Sequence, residues 1–407
     1  MKLRTGNSNK MIASILQLEN EQSVSDYSAS IIKSFENDIL PFYFGLHVLN
    51  RDDLIQNHTT EITKKLFDVR DNLFLICDGT YARHQKSTNN EYQRKSFSGQ
   101  KKVPLCKPFT IYPNGLSKFL TEGDTFVLDR GFRDIKDALE KKKFTVLMPA
   151  LKGKRKQLST KESNQSRFVT KIRWAVESVH GVLKQKYRLL DHKIGNKLIP
   201  KVGIYFRIAS FLNNTFGKRL QSDVEIVQRM HNQKDAENTL AIEAEEKGWF
   251  RRKLIFKNIT GNDLLDFPEM TEKDMKIFFT GSYQLSQAVS YLAKMVDKNG
   301  KLNIEYVKDE KNVLKLKVPS RHIFRTTYRC FLRYTPNSIG VSGVTHYACE
   351  CANGRRTIGC CSHIAAIIYY LFFARYLSKI FKPAEILSDT FKKDNSIPVI
   401  ESDSDDD

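Results

Sequence analysis

Two short apolar runs in the first half of the chain each end on an aspartate. The run NLFLICDGTY spans residues 72–81 and contains Asp78, and GDTFVLDRGF spans residues 123–132 and contains Asp129. Apolar runs of this length, bounded by glycine and polar residues, are typical of buried strands. An aspartate after a strand often serves only as a turn former or helix cap. The pattern therefore predicts two buried strands, and it leaves open whether their aspartates meet.

A helical period follows in RFVTKIRWAVESVHGVLKQKYRLL, which begins at Arg167. Its apolar stripe comprises Phe168, Ile172, Val176, Val179 and Leu183. At about 100° per residue, Arg173, Glu177 and Lys184 share a different stripe of the same helix. An exposed ladder of i,i+4 ion pairs is one interpretation of that stripe. Beside two strand-borne aspartates, the stripe can instead carry a metal ligand, Glu177, between two cations that hold phosphate.

Four potential zinc ligands lie close together near the C-terminus: Cys349, Cys351, Cys361 and His363. Zinc in structural sites takes four thiolate or imidazole ligands, and two close pairs separated by a short loop can supply them. The local pattern predicts a strand over THYACEC, a turn with Asn353-Gly354 at its tip, and a helix over IAAIIYYLFFARYL. The spacing therefore predicts one zinc site on a strand, a turn and a helix.

Buried free cysteines and disulfides are the alternatives to a zinc site. The N-terminus lacks the continuous apolar stretch of a secretory signal, so we expect a nuclear or cytoplasmic protein rather than a secreted one. A reducing compartment favours metal over disulfides. Cys360 stands beside Cys361 and competes with it as a ligand, although only Cys361 keeps the C-x-H spacing.

Net charge points to a class of partner. The 407 residues include 66 Lys and Arg against 46 Asp and Glu, a formal net charge of +20. A surplus of this size indicates a polyanionic partner, usually nucleic acid. Basic clusters such as 141–143 and 152–156 concentrate between residues 90 and 220, so this segment is predicted to meet phosphates. No apolar run reaches the roughly 18 residues that a membrane span requires. The sequence therefore predicts no transmembrane helix, and we expect no membrane partner.

The motifs Asp78-Gly-Thr, Asp129-Arg-Gly-Phe and Arg173-x3-Glu177-x6-Lys184 together resemble those of DDE transposases with an RNase H-like core. The likeness covers residues 40–220 and is to Harbinger-type transposases and their insertion-sequence relatives; Thr170 stands where bacterial relatives have Tyr. The resemblance implies that Asp78, Asp129 and Glu177 are catalytic and hold Mg²⁺ or Mn²⁺ for two-metal chemistry on DNA. It also implies that Arg173 and Lys184 contact the DNA backbone.

The C-x-C and C-x-H pairs resemble a SWIM zinc finger, a module associated with DNA binding or protein contacts. The implied fold class is α/β: an RNase H-like mixed sheet with flanking helices, plus a small α+β zinc-finger module. Relatives carry one more strand and helix between the stretch KPFTIY (107–112) and the Asp129 strand, so we expect a sheet lacking them. Implied partners are DNA, a second copy of the chain, and a protein bound by the finger.

The predicted organisation has six parts. They are a mostly helical region at 1–70, the nuclease domain at 71–219, a charged helical linker at 220–250, an α+β region at 251–340, the finger at 341–380, and a disordered acidic tail at 381–407. Three hypotheses follow: a metal-dependent DDE endonuclease or transposase, a DNA- or chromatin-binding descendant that has lost cleavage, and a structural adaptor. The basic charge counts against the adaptor.

Overall fold

The computed structural model describes residues 1–67, 71–99, 101–106, 116–218, 223–259, 262–295, 304–321, 323 and 325–376. They form a mixed α/β protein with one parallel and two antiparallel sheets, which confirms the α/β class. The predicted KPFTIY strand and the predicted acidic tail lie outside the described residues. No described helix combines the length and apolar character that crossing a membrane requires.

The helices, in chain order, are α1 (Lys2–Thr5), α2 (Asn9–Ile15), α3 (Glu21–Ser34), α4 (Leu40–Tyr43), α5 (Arg51–His58), α6 (Glu61–Phe67), α7 (Asn90–Ser96), α8 (Arg133–Lys141), α9 (Thr160–Lys186), α10 (Arg188–Asp191), α11 (Val202–Phe216), α12 (Val224–Asn232), α13 (Thr239–Glu246), α14 (Glu272–Phe278), α15 (Ser282–Met295) and α16 (Ser362–Phe372).

The strands are β1 (Phe74–Cys77), β2 (Ala82–Arg83), β3 (Phe97–Ser98), β4 (Val103–Cys106), β5 (Thr125–Leu128), β6 (Thr145–Leu147), β7 (Lys257–Asn258), β8 (Glu305–Glu310), β9 (Val313–Pro319), β10 (Thr327–Tyr334) and β11 (Val344–Cys349). The chain forms two compact units, described separately below.

The first unit takes in residues 1–64, 69–147 and 171–221. Its parallel sheet has the order β1-β5-β6, and its short antiparallel sheet has the order β2-β4-β3. The described residues thus hold two sheets where one mixed sheet was predicted. The reason is local: residues 78–81 leave the ladder after β1, so β2 pairs with β4 alone. Residues 116–124, which precede β5, form no strand.

The core of the first unit lies where α11 and the end of α9 pack against the N-terminal helices. Phe206, Leu190, Leu183 and Leu40 are among its buried side chains. The predicted stripe on α9 is only partly a core face, because Val179 is 37% exposed. Helical spacing identified the apolar positions, and packing decided which of them are covered.

A buried ion pair holds the start of β5. Asp124 is fully buried, and it accepts hydrogen bonds from the Arg51 guanidinium and from the backbone N–H groups of Leu73 and Thr121. Burial alone would raise the pKa of Asp124, but these donors outweigh burial and lower it below the usual range. The carboxylate therefore joins α5, the turn before β5 and the start of β1.

We expect Asp124→Asn to destabilise the protein by about 3–5 kcal/mol, because it leaves Arg51 without its counter-charge. The folded-state pKa is lowered, so the contribution is present above about pH 5 and is lost as pH falls below about 4. Urea unfolding at pH 7 and at pH 3.5 measures both effects. The exposed Asp137→Asn is the control; equal losses in the two variants would contradict the assignment.

The second unit takes in residues 65–68, 148–170 and 222–407. Its antiparallel sheet has the order β11-β10-β9-β8-β7, and α15 packs against α16 beside it. Within this sheet β8 and β9 form an antiparallel hairpin. Its turn lies at Lys311-Asn312, and Asn312 adopts a left-handed conformation with φ 59°. Asparagine tolerates that conformation better than most residues.

The segment 220–250, predicted to be a charged linker, contains α12 and α13. Leu240, Ala244 and Trp249 from this segment pack with Phe331 and Ala348 of the sheet. Residues of this linker therefore belong to a hydrophobic core. The charged residues of this segment lie mostly on the exposed faces of the helices, and the apolar residues between them in the sequence are buried.

Candidate active site and metal centre

Asp78 and Asp129 occupy equivalent positions at the ends of two neighbouring strands. β1 and β5 pair in parallel with Cys77 opposite Leu128, and each aspartate is the next residue along its strand. Asp78 accepts the N–H of Gly79 at 2.8 Å, and Asp129 accepts the N–H of Arg130 at 2.7 Å. The two strands that carry the aspartates are therefore neighbours in the sheet.

Helix α9 brings Glu177 and Arg173 to the same place. The Arg173 guanidinium lies 3.6 Å from an Asp78 carboxylate oxygen, 3.4 Å from one of Asp129 and 3.2 Å from one of Glu177. The Arg173 side chain is 10% exposed. Three carboxylates gathered in one place repel one another, and a cation between them relieves that repulsion. One guanidinium therefore contacts all three predicted catalytic acids and offsets one of their three negative charges.

The carboxylate oxygens of the three acids lie around the Arg173 guanidinium and do not converge on a single position. Among the described residues, the cysteine–histidine cluster near the C-terminus is the group of three or more ligands whose donor atoms all lie within 4.8 Å of one another. The three acids do not form such a group, and each has an oxygen within 3.6 Å of the Arg173 guanidinium. Arg173 was predicted to contact DNA; in this arrangement it faces the acids.

Lys184 and His180 lie further along α9. Burial lowers the pKa of Lys184, and the charges acting on it are Asp191 and Arg83. Among the described residues it makes no ion pair with the three acids. Burial also lowers the pKa of His180, against the opposing effect of Asp78. His180 was not singled out from the sequence, although its i+3 spacing from Glu177 indicates the same helix face.

The donor set of the acidic site suits a hard divalent cation. Carboxylate oxygens are the ligands that Mg²⁺ and Mn²⁺ prefer, and the site already gathers them around one positive charge. The residues that would hold such an ion are Asp78, Asp129 and Glu177. In the part of the chain that the structure describes, no imidazole or thiolate forms an ion pair with Arg173.

The predicted zinc ligands come together in the second unit. Cys349 ends β11, Cys351 follows it in a turn, and Cys361 and His363 lie at the start of α16. The donor atoms of these four residues all lie within 4.8 Å of one another. Cys349 Sγ is 3.8 Å from His363 Nδ1. Four buried soft ligands at this spacing are compatible with a structural zinc site.

The turn between the two ligand pairs depends on Gly354. The N–H of Cys349 donates to the Gly354 carbonyl at 3.0 Å, and a Cβ on Gly354 would lie 1.9 Å from the Cys349 carbonyl oxygen. Gln157 supports the same turn from outside, because its side-chain amide donates to the carbonyls of Cys349 and Cys351 at 2.6 and 2.7 Å. The backbone around the first ligand pair is thus held on both sides.

The neighbouring residues Cys360 and Cys361 differ in their position relative to the cluster. Cys361 belongs to the cluster, whereas Cys360 does not. Burial alone would raise the pKa of Cys361, but hydrogen bonds from Cys349, Cys351 and His363 hold that pKa well below its usual range. Cys361 is therefore the ligand most ready to bind as a thiolate.

A fourth cysteine borders the three of the cluster. Cys330 is fully buried, and its sulfur lies 3.5 Å from the sulfur of Cys349, which it faces across β10 and β11. Sequence spacing gave no sign of this neighbour, because only the register of the two strands brings Cys330 to the site.

Residues 109–214 match the family model of the DDE superfamily endonucleases. The matched segment contains Asp129, Arg173, Glu177 and Lys184, and Asp78 precedes it. No curated protein and no solved structure gave a significant match to the chain. The match supports a DDE transposase family and a transposase-like nuclease function for this part of the chain.

Proposed function

We propose that the protein is a transposon-derived DDE endonuclease or transposase of the Harbinger type, with an RNase H-like core and a two-metal mechanism. One observation carries the proposal. Asp78 and Asp129 end adjacent parallel strands, and Glu177 reaches them from α9, so that all three carboxylates surround one guanidinium. The segment that matches the DDE endonuclease model holds two of the three acids.

Asp78, Asp129 and Glu177 would hold Mg²⁺ or Mn²⁺. Two such ions, when bound, supply an activated oxygen nucleophile and relieve charge on the leaving oxygen of a phosphodiester. The chain's own part is positioning. The Gly79 and Arg130 N–H groups fix the orientation of the two aspartates, and the parallel ladder fixes the spacing of the strands that carry them.

DNA is the proposed substrate. Lys184 lies on the same helix as Glu177 and forms no ion pair with the site's acids among the described residues, which leaves its charge for a phosphate. The exposed lysines of the 141–143 and 152–156 clusters add further positive charge. Phosphate contacts of this kind position a nucleic acid without reading its sequence.

Zinc is the proposed occupant of the cysteine–histidine cluster, and the module around it is proposed to be of the SWIM type. Support comes from the four converging ligands and from the strand-turn-helix that carries them. The role of the ion there is structural, because all four positions of a tetrahedron are taken by protein ligands. DNA or a protein remains the proposed partner of this module.

The test of the enzymatic proposal is nicking of supercoiled plasmid by the full chain. We expect nicked and linear products in Mg²⁺ or Mn²⁺ and none in EDTA. A gel-shift titration at several salt concentrations measures DNA binding separately. Affinity should fall steeply with salt, because neutralised phosphates release counterions.

A second function is favoured by the spacing of the acids around Arg173: DNA or chromatin binding without catalysis. Catalysis needs groups held within about 0.5 Å of productive geometry, whereas binding tolerates a distorted site. Salt-sensitive DNA binding with no nicking under any metal would select this function and exclude the first.

A further inference from the structure

We propose that Arg173 gates the metal site, so that DNA and the divalent cation bind cooperatively. Arg173 occupies the acids in the free protein, and it leaves them for a DNA phosphate when substrate binds. The inference rests on the proposed function, because it assumes that the three acids are the metal ligands. It adds a regulation that a DDE triad alone does not imply.

The first step is competition for the same atoms. The guanidinium contacts one oxygen each of Asp78, Asp129 and Glu177, at 3.2 to 3.6 Å. A metal ion shared by these residues needs oxygens from the same three carboxylates. The acids do not lie within 4.8 Å of one another while Arg173 stands between them. Arg173 and the metal therefore exclude each other.

The second step is the stability of the closed state. The Arg173 side chain is 10% exposed, so little water screens its attraction to the three carboxylates. Three acids around one cation leave the site with excess negative charge, which still draws a divalent ion. Arg173 thus lowers the metal affinity of the free protein without abolishing it.

The third step is the alternative partner of Arg173. Its Nε–H is buried and has no hydrogen-bond acceptor among the described residues. A guanidinium with a spare donor can bind phosphate through two parallel hydrogen bonds, which suits it to a DNA backbone better than a lysine would. A phosphodiester placed at the acids offers that partner at the site where the metal is required.

The consequence is reciprocal coupling. If DNA draws Arg173 off the acids, DNA raises the affinity for the metal, and the metal raises the affinity for DNA by the same factor. A coupling of about tenfold lies within the usual range. The acids would then become metal ligands chiefly on substrate, which limits cleavage by an unengaged enzyme.

The experiment is a Mn²⁺ titration of the full chain, followed by electron paramagnetic resonance, with and without a short duplex DNA. For wild type we expect DNA to raise Mn²⁺ affinity about tenfold. For Arg173→Gln we expect the DNA-free affinity to rise by a similar factor and the effect of DNA to vanish. Lys186→Gln removes one charge from the same helix, where Lys186 bonds Asn213, and should behave as wild type.

Thermal unfolding without metal is the second readout. Arg173→Gln should melt below wild type, and Mn²⁺ should raise its melting temperature more than that of wild type, because the acids lose a cation that contacts all three of them. Arg173→Lys keeps the positive charge but loses the planar guanidinium that can donate two parallel hydrogen bonds. It should therefore give a Mn²⁺ affinity between those of wild type and Arg173→Gln. This variant replaces Arg173→Gln in the experiment if the glutamine variant does not fold.

Unchanged or weaker Mn²⁺ binding by a folded Arg173→Gln variant would overturn the gate and leave the proposed nuclease intact. Absence of Mn²⁺ binding in wild type and variant, with and without DNA, would remove the metal site itself and both proposals with it.

Discussion

Replacing Asp129 with Asn should abolish metal-dependent DNA cleavage and leave DNA binding intact or tighter. Asp129 directly follows β5, beside Asp78, and its carboxylate is one of the three that contact the Arg173 guanidinium. An amide keeps the shape and the oxygen that accepts the Arg130 N–H, but it removes the charge that a divalent ion needs. We expect nicking to fall by at least about a thousandfold, of the order of the loss when a key transition-state stabiliser is removed.

Binding and cleavage separate the possible causes. Loss of a negative charge near a phosphate path should not weaken DNA affinity, since less repulsion remains. Asp134→Asn is the matched control, because its side chain is 91% exposed on α8 and touches none of the site's acids. Equal nicking by wild type and Asp129→Asn would show that the cleavage came from another site or a contaminant. If both are inert and both bind DNA, the non-catalytic function stands.

Local patterns predicted the pieces of the acidic site. An apolar run followed by aspartate predicts a buried strand and the residue at which the strand ends. Helical spacing places Glu177 outside the apolar stripe of its helix. The order β1-β5-β6 was beyond such patterns, because strand pairing is a contact between distant segments. The register that sets Cys77 opposite Leu128 turns two separate motifs into one site.

The sequence shows where the charged residues of α9 lie on the helix, but it does not show which groups they contact. Arg173 and Lys184 share a helix stripe, and the sequence treats them alike. In the structure one faces three carboxylates and the other lies near Asp191 and Arg83. Asp124 shows the same limit: it flanks β5 as Asp129 does, yet it is a structural carboxylate because Arg51, 73 positions away, reaches it.

The cysteine–histidine cluster was the most predictable part of the molecule. Cys349 and Cys351 share a turn, and Cys361 and His363 share the start of a helix, so each pair is set by local geometry. The tertiary structure was needed only to show that the two pairs lie next to each other. The neighbouring Cys330 was missed, since it lies on another strand and has no motif of its own.

Replacing Cys361 with Ser should remove bound zinc and destabilise the second unit. The four ligands are buried in the same core as Ile364 and Leu371 of α16. Without the ion, thiols and an imidazole remain buried with few hydrogen-bond partners; His363 Nε2 already has none among the described residues. An ion present at a thousandfold excess over Kd stabilises by about 4 kcal/mol, which corresponds to roughly 8–16 °C in melting temperature for a unit of this size.

Cys360→Ser is the matched control, because Cys360 is the adjacent residue, is equally buried and lies outside the ligand cluster. We expect about one zinc per chain in wild type and Cys360→Ser, and close to none in Cys361→Ser, by elemental analysis after dialysis. Chelation of wild type should reproduce the lower melting temperature of Cys361→Ser, since both act by emptying one site. Zinc retained by Cys361→Ser and lost by Cys360→Ser would reassign the ligand to Cys360. Zinc absent from all three proteins would instead leave a buried thiol cluster without an ion, and the SWIM assignment would fail.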